Sequence, residues 1–311
     1  MIAETANAAS RKAILALADS PRLDRLVRRH GMRLGAARFV AGETLEQLVP
    51  VLRRLNEQGL LTNTTLLGEG VRSAEETHAV VGTYRGVLDR IHADGLRTNL
   101  AVKPTHLGLA IDEELAYGNV LALVEHAAGL GNFVRMDMEE SSHVDATLRL
   151  YRRLREAGHE NTGTVLQSYL RRSERDLGSL LDLRPNLRFV KGAYLEPPEL
   201  AFPDKADVDA TYVRLVDRSL RAGGFTAVAT HDERLIDHTI AFAEREGIPR
   251  DRFQFQMLYG VRPQLQLDLV RRGFSVLVAT PFGPDWYRYL MRRLAERPAN
   301  TLFFLKNLAR G

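Results

Sequence analysis

LRFVKGAYLEPPELAFPDKADVDATYVRLVDRSLRAGGFTAVATHD, residues Leu187–Asp232, carries the decision about the fold. It opens with a short apolar run, Leu187–Val190, that stops at Lys191-Gly192. A connection over Leu195–Lys205 follows, then an amphipathic segment over Asp207–Arg221. A second apolar run, Thr226–Ala229, stops at Thr230-His231. Short β-branched and apolar runs read as buried strands, and apolar residues at helical spacing read as an amphipathic helix. The unit is therefore strand, helix, strand, with polar residues where each strand ends.

The same unit extends in both directions. Strands are expected at Leu60–Leu66, Thr98–Val102, Phe133–Asp137, Thr164–Leu166, Leu187–Val190, Thr226–Ala229, Phe253–Gln256 and Ser275–Val278. Helices are expected between them at Ala74–Ala93, Asp112–Ala128, Ser142–Ala157, Ser173–Leu181, Asp207–Arg221, Glu233–Glu246 and Pro263–Arg271, with the eighth at Trp286–Arg297. This alternation predicts an α/β fold, a (β/α)8 TIM-type barrel. Two α/β domains would give a similar string but need a linker, and no Pro/Gly/Ser-rich stretch or composition shift offers one. The chain is thus expected to form a single barrel domain over 1–311. Residues 1–58 would be N-terminal helices, at Ala6–Asp19, Pro21–Val40 and Thr44–Glu57, forming an arm packed outside the barrel.

Composition narrows the function. The net charge of +4 comes from scattered arginines without a lysine-rich tail or aromatic-interleaved patch, which argues against nucleic-acid binding. The absence of cysteine excludes disulfides, thiolate catalysis and cysteine-ligated zinc, and suits the cytoplasm. No apolar run reaches the roughly 20 residues that span a bilayer, whereas contact with a membrane surface through basic amphipathic helices stays open. The N-terminal MIAETANAASRKAILALADS lacks a signal-peptide pattern and is expected to belong to the fold. No HxxxH or HExxH supports a metal site. No GxGxxG after a strand, GxxxxGK[ST] or GxSxG supports a Rossmann cofactor, a P-loop or a serine hydrolase.

In a barrel of this kind, catalytic groups come from the C-terminal ends of the strands. Those ends carry Lys103, Asp137 with Glu139, Gln167, Lys191 with Gly192, Thr230 with His231, and Leu258-Tyr259. Lys103 follows an apolar run and needs a partner, for which Asp137 is a candidate. The pair would either orient a substrate or cap the barrel as a structural ion pair. Period-2 alternation puts Arg188 and Val190 on one face, and an inward arginine requires an acceptor, from a bound cofactor or from a neighbouring strand. Gly192 permits close approach of a ligand. His231 precedes Asp232, the expected N-cap of the next helix, and could contact phosphate or cofactor, act as acid or base, or simply satisfy the junction. On the eighth helix, Tyr289, Arg292, Arg293 and Glu296 fall within an arc of about 100°. Leu290, Met291, Leu294 and Ala295 cover another side. Two adjacent guanidinium groups suit a carboxylate or phosphate, although a solvated face would read the same way.

The segments AVKPTHLG (Ala101–Gly108), RMDMEE (Arg135–Glu140), VLQSYLRRS (Val165–Ser173), LRFVKGAY (Leu187–Tyr194), ATHD (Ala229–Asp232), FQFQMLYG (Phe253–Gly260) and YLMRRLAERPANT (Tyr289–Thr301) together resemble the proline dehydrogenase family. They span strands two to eight in order. The resemblance implies an FAD-dependent enzyme that oxidises L-proline to Δ1-pyrroline-5-carboxylate by hydride transfer from C5 to flavin N5. Electrons would then pass to a quinone, as the first step of proline catabolism. It implies an eighth helix lying over the barrel mouth. Arg292 and Arg293 would grip the proline carboxylate with Lys103 nearby, and Tyr289 and Leu258 would wall the pyrrolidine ring. Asp137 would sit beside flavin and substrate, pairing with Lys103 or Arg293, and Arg188 would touch the reactive edge of the flavin. Met138, Gln167, Val190, Lys191, Gly192, Thr230 and His231 would contact FAD, as would Glu296 and Asn300. Ala279 in VATPFG stands where the family pattern has an aromatic against the substrate ring, so the pocket lining is expected to differ there. A cytoplasmic enzyme, peripheral at the inner membrane face, would follow. A methylenetetrahydrofolate-reductase-like flavin barrel and a non-catalytic carboxylate-binding barrel are the competing readings.

Overall fold

The computed structural model describes residues 36–68 and 71–296, as backbone only over 292–296. Eight parallel strands close into a barrel in sequence order. They are β1 (Leu61–Leu66), β2 (Thr98–Val102), β3 (Val134–Met136), β4 (Thr162–Gln167), β5 (Asn186–Val190), β6 (Phe225–Ala229), β7 (Phe253–Leu258) and β8 (Val276–Phe282). Closure is made by β8 on β1, in register from Leu61 with Leu277 to Leu66 with Phe282. The helices are α1 (Leu45–Glu57), α2 (Ala74–Ala93), α3 (Glu113–Gly129), α4 (Val144–Glu156), α5 (Ser173–Leu180), α6 (Lys205–Ala222), α7 (Glu233–Arg245), α8 (Pro263–Arg271) and α9 (Trp286–Glu296). Several start where a short polar side chain satisfies an orphan amide: Thr44, Ser73, Asp112 and Asp232 each accept from a backbone N–H of the first turn.

The two-residue period sorts the strand side chains. Val134 and Met136, Leu187 and Phe189, Phe253 and Phe255, and Val276 and Val278 point outward into the main apolar core shared with the helices. Their sequence neighbours point inward, and many are polar. Arg188 of β5 donates to Gln256 of β7 at 2.6 Å, to Asp137 beyond β3 at 2.7 Å and to Asn63 of β1 at 3.4 Å. None of those strands borders β5, so the contacts run across the barrel. They form one layer of side chains from alternate strands. Arg135 lies below this layer, donating to the carbonyls of Thr164 and Asn186 and to the Asn186 side chain.

Of the segment expected as a helix at Pro21–Val40, the described part is a 3-10 turn at Ala36–Arg38, with non-helical chain from Phe39. The remainder of that segment, and the helix expected at Ala6–Asp19, lie outside the described residues. The described part crosses the barrel mouth, a departure from an arm packed only outside. Ala41 N–H donates to Pro281 O at 2.8 Å, and Gly283 N–H donates to Gly42 O at 3.0 Å.

Candidate active site

A cavity of ≈ 840 Å³ opens at the C-terminal ends of the strands, within the size range of ligand sites. Lys103, Asp137, Met138, Gln167, Arg188, Val190, Lys191, Gly192, Thr230, His231 and Leu258 all line it, together with Ala279. These positions, picked out in the sequence at strand ends, within β5 or through the resemblance, are thus brought to one place by the barrel, with Glu139 beside them, whereas Tyr259 does not line the cavity. Tyr289 packs against the apolar cluster that covers the mouth. Arg292, Arg293 and Glu296 fall on the α9 backbone, but their side chains lie outside the described residues, as does Asn300.

Arg188 and Asp137 form the central ion pair. The arginine side chain is 10% exposed and the aspartate 27%, the latter facing the cavity. Burial pushes the Arg188 guanidinium below its ordinary range, and Asp137 opposes that shift by charge and hydrogen bond. The acceptors of this inward arginine come from the protein, but from across the barrel and not from the neighbouring strand foreseen as one source. Asp137 pairs with Arg188, and the Lys103 charge acts on the Glu139 carboxylate. Glu139 is buried and accepts from the amide and hydroxyl of Thr105, at 2.9 and 2.6 Å. Burial nonetheless raises its pKa, against those hydrogen bonds and the Lys103 charge.

Gln167 spends its amide N–H groups on the carbonyls of Met138 and Glu139, both at 3.1 Å. Its own carbonyl oxygen is buried without a hydrogen bond. Such an orphan acceptor at a cavity wall marks a place for a ligand donor. Gly192 has φ +114°, and a Cβ there would lie 2.2 Å from the Tyr169 ring. Only glycine lets the chain pass between ring and cavity.

The β6 end is strongly charged. Lys191 contacts Asp209 at 2.5 Å and Asp232 at 3.4 Å, while Lys205 also bonds Asp209 and Arg234 holds Asp232 at 3.1 Å. The Arg234 hydrogen bond holds the Asp232 carboxyl far below the usual range. His231 Nε2 accepts from Leu258 N–H at 3.0 Å, so that nitrogen carries no proton and the ring is the Nδ1–H tautomer. His231 thus ties β6 to the end of β7, which accounts for the junction role foreseen as one alternative.

Sequence reading missed Phe39, Asn63, Gln256 and Asp209. Gln254 and Gln256 in FQFQ carried a signal, since polar residues alternating with buried phenylalanine point into a barrel rather than to solvent. Phe39 gave none, because it comes from the chain before β1.

A closed parallel barrel whose mouth gathers a buried arginine–aspartate pair, a lysine and an orphan acceptor defines a (β/α)8 enzyme acting on a small charged substrate. The family model for proline dehydrogenase matches residues 48–306. The chain is 44% identical over 305 residues to proline dehydrogenase of Deinococcus radiodurans, covering 97% of this chain and 98% of that one. It is 41% identical over 298 residues to proline dehydrogenase 1 of Bacillus subtilis strain 168, covering 96% and 98%. The bifunctional protein PutA of Escherichia coli is 25% identical, over 88% of this chain and 24% of that one. A crystal structure of proline utilization A from Bdellovibrio bacteriovorus, inactivated by N-propargylglycine, shares the fold. Its TM-score is 0.80 at 24% identity, over 88% of this chain and 34% of that one. The chain belongs to the proline dehydrogenase family, and it is the single-activity members that it matches over nearly their whole length.

Proposed function

We propose that this protein is an FAD-dependent enzyme that oxidises L-proline to Δ1-pyrroline-5-carboxylate and passes the electrons to a quinone. The observation that carries the reading is the cavity itself, where Lys103, Asp137 and Arg188 meet in a chain of this family. The residues present fit a flavin. The orphan Gln167 oxygen offers an acceptor to a ring or ribityl N–H or O–H group. Gly192 lines the cavity, and Lys191, Thr230 and His231 cluster at the N-terminus of α7, where phosphate oxygens are favoured. FAD held there would supply the two-electron acceptor for the hydride that leaves proline C5, its N5 being the accepting atom.

The chain's own residues do the rest by orientation and charge. Arg292 and Arg293 hold the carboxylate through bidentate hydrogen bonds, with Lys103 adding a third cation from the end of β2. Leu258 and Tyr289 flank the ring and exclude water. This is catalysis chiefly by positioning. The Arg188 guanidinium, kept cationic by Asp137, stabilises negative charge that develops beside it. Forming the C=N bond needs the nitrogen lone pair, so the ammonium form of proline must first lose a proton to water, and the rate rises with pH. Glu296 and Met138 complete the cofactor's surroundings.

No described helix is long and apolar enough to cross a membrane, and a cytoplasmic enzyme touching the inner face peripherally would meet its quinone there. The purified protein should be yellow, and o-aminobenzaldehyde should trap a cyclic imine from proline plus a quinone. A colourless protein, or consumption of proline without a trapped imine, would refute the reading.

A further inference from the structure

The chain before the barrel is bolted to the helix that covers it. Phe39 is 2% exposed and joins Ala36, Val40 and Leu67 in an apolar cluster with Trp286, Tyr287, Leu290 and Met291 of α9. This cluster is separate from the main core between strands and outer helices. Phe39 also lines the cavity, and Tyr289 packs against the same cluster. Polar ties also fix the segment. Trp286 Nε1–H donates to Glu43, Ala41 N–H donates to Pro281 O, Gly283 N–H donates to Gly42 O, and Arg38 Nε–H donates to Gly260 O at 3.3 Å. Gly260 has φ +73° and the backbone of Arg38 lies against it so closely that a Cβ would be 1.7 Å from Arg38 O. The strap therefore has a built seat on the β7–α8 turn.

We infer that residues 36–43 are a positioning strap for the substrate site: Phe39 closes the cavity beside Tyr289, and Glu43 anchors α9 through Trp286. This rests on the reading of α9 as the helix that grips the proline carboxylate. The physical argument is that α9 buries Trp286, Tyr287, Leu290 and Met291 chiefly on strap and loop residues rather than on strands. A helix seated on loops has no rigid scaffold of its own, and the position of its arginines inherits whatever freedom the seat has. A tryptophan N–H buried in that seat needs its acceptor, and Glu43 is that acceptor.

Two properties follow. Truncating Phe39 opens the wall beside the ring, so it weakens proline and relaxes discrimination against pipecolate, the six-membered homologue. Removing the Glu43 carboxylate loosens α9 without touching the cavity. Trp286 is the only tryptophan in the chain, so its emission reports on the junction directly.

The test uses holoenzyme variants Phe39→Ala, Phe39→Leu, Glu43→Ala and Glu43→Gln, in flavin reduction by proline and by pipecolate. Phe39→Ala should raise the proline KM about tenfold with kcat within about twofold, FAD retained, and the proline preference reduced. Phe39→Leu should recover most of the loss. Glu43→Ala should red-shift Trp286 emission and raise KM, whereas Glu43→Gln, which keeps an acceptor, should resemble wild type. If Phe39→Ala does not fold, Phe39→Leu and the Glu43 pair decide. Unchanged proline KM and pipecolate discrimination in flavin-loaded variants would overturn the strap, as would loss of flavin with KM intact. Failure of proline to reduce the wild-type flavin would instead sink the parent reading.

Discussion

Removing the Asp137 carboxylate tests the charge balance of the barrel most severely. Arg188 is 9% exposed and keeps three acceptors, of which only Asp137 is anionic. In Asp137→Ala the guanidinium retains the Gln256 and Asn63 oxygens but loses its counter-charge. Breaking a buried pair on one side costs roughly 3–5 kcal/mol. Asp137 faces the cavity and two neutral acceptors remain, so the lower end, about 3 kcal/mol, applies here. For a barrel of this size that corresponds to a fall in Tm of about 5 °C. Replacing both partners, in Asp137→Ala/Arg188→Met, removes the stranded charge and should recover at least about 1.5 kcal/mol of that loss. The assay is urea unfolding followed by circular dichroism at saturating FAD, which holds the ligand contribution fixed. A single-variant cost under about 0.5 kcal/mol, or strictly additive losses in the double variant, would refute the reasoning.

Other consequences are as direct. Gly192→Ala forces a side chain into a left-handed backbone and against the Tyr169 ring; the variant should lose about 2–4 kcal/mol and shed flavin, measured by melting and by absorbance. Arg292→Met or Arg293→Met should raise the proline KM roughly ten- to hundredfold with FAD retained, since each charged hydrogen-bonded contact is worth about 1.5–3 kcal/mol. Burial pushes the Asp209 carboxyl up, but its Lys191 and Lys205 hydrogen bonds outweigh that and hold it below 3.8. A carboxyl depressed in the fold contributes stability above its unfolded pKa and loses it as pH falls through the folded value. Wild type should therefore lose stability below about pH 4 more steeply than Asp209→Asn, in acid titrations of the melting temperature.

Much of the barrel was legible because strand and helix periods differ, and both show in this chain. Thr98–Val102 and Pro263–Arg271 are found with the bounds read from sequence. The discrepancies have physical causes. β8 runs past its expected end at Val278, through Pro281 to Phe282. Pro281 has no N–H to give, yet its carbonyl is taken by Ala41 from the strap, a partner no local pattern announces. β4 starts two residues early, at Thr162, because small polar Thr162 and Gly163 suit a barrel wall crowded by Arg135. The strand-end chemistry was legible because ionisable residues after apolar runs are costly without a purpose. One pairing was not: Arg188 reaches Asp137 from two strands away. Length and direction of a side chain decide that contact, and register alone does not give it. Phe39 stayed hidden for a related reason: a residue far from the barrel in sequence becomes a wall only once the chain folds back over the mouth.

The central claim is that proline delivers hydride to a flavin held in this cavity. Anaerobic titration of the purified holoenzyme with L-proline tests it most directly. The account predicts bleaching of the flavin band, with one proline consumed per flavin reduced, and reoxidation on adding a quinone. A flavin that stays yellow at saturating proline would contradict it.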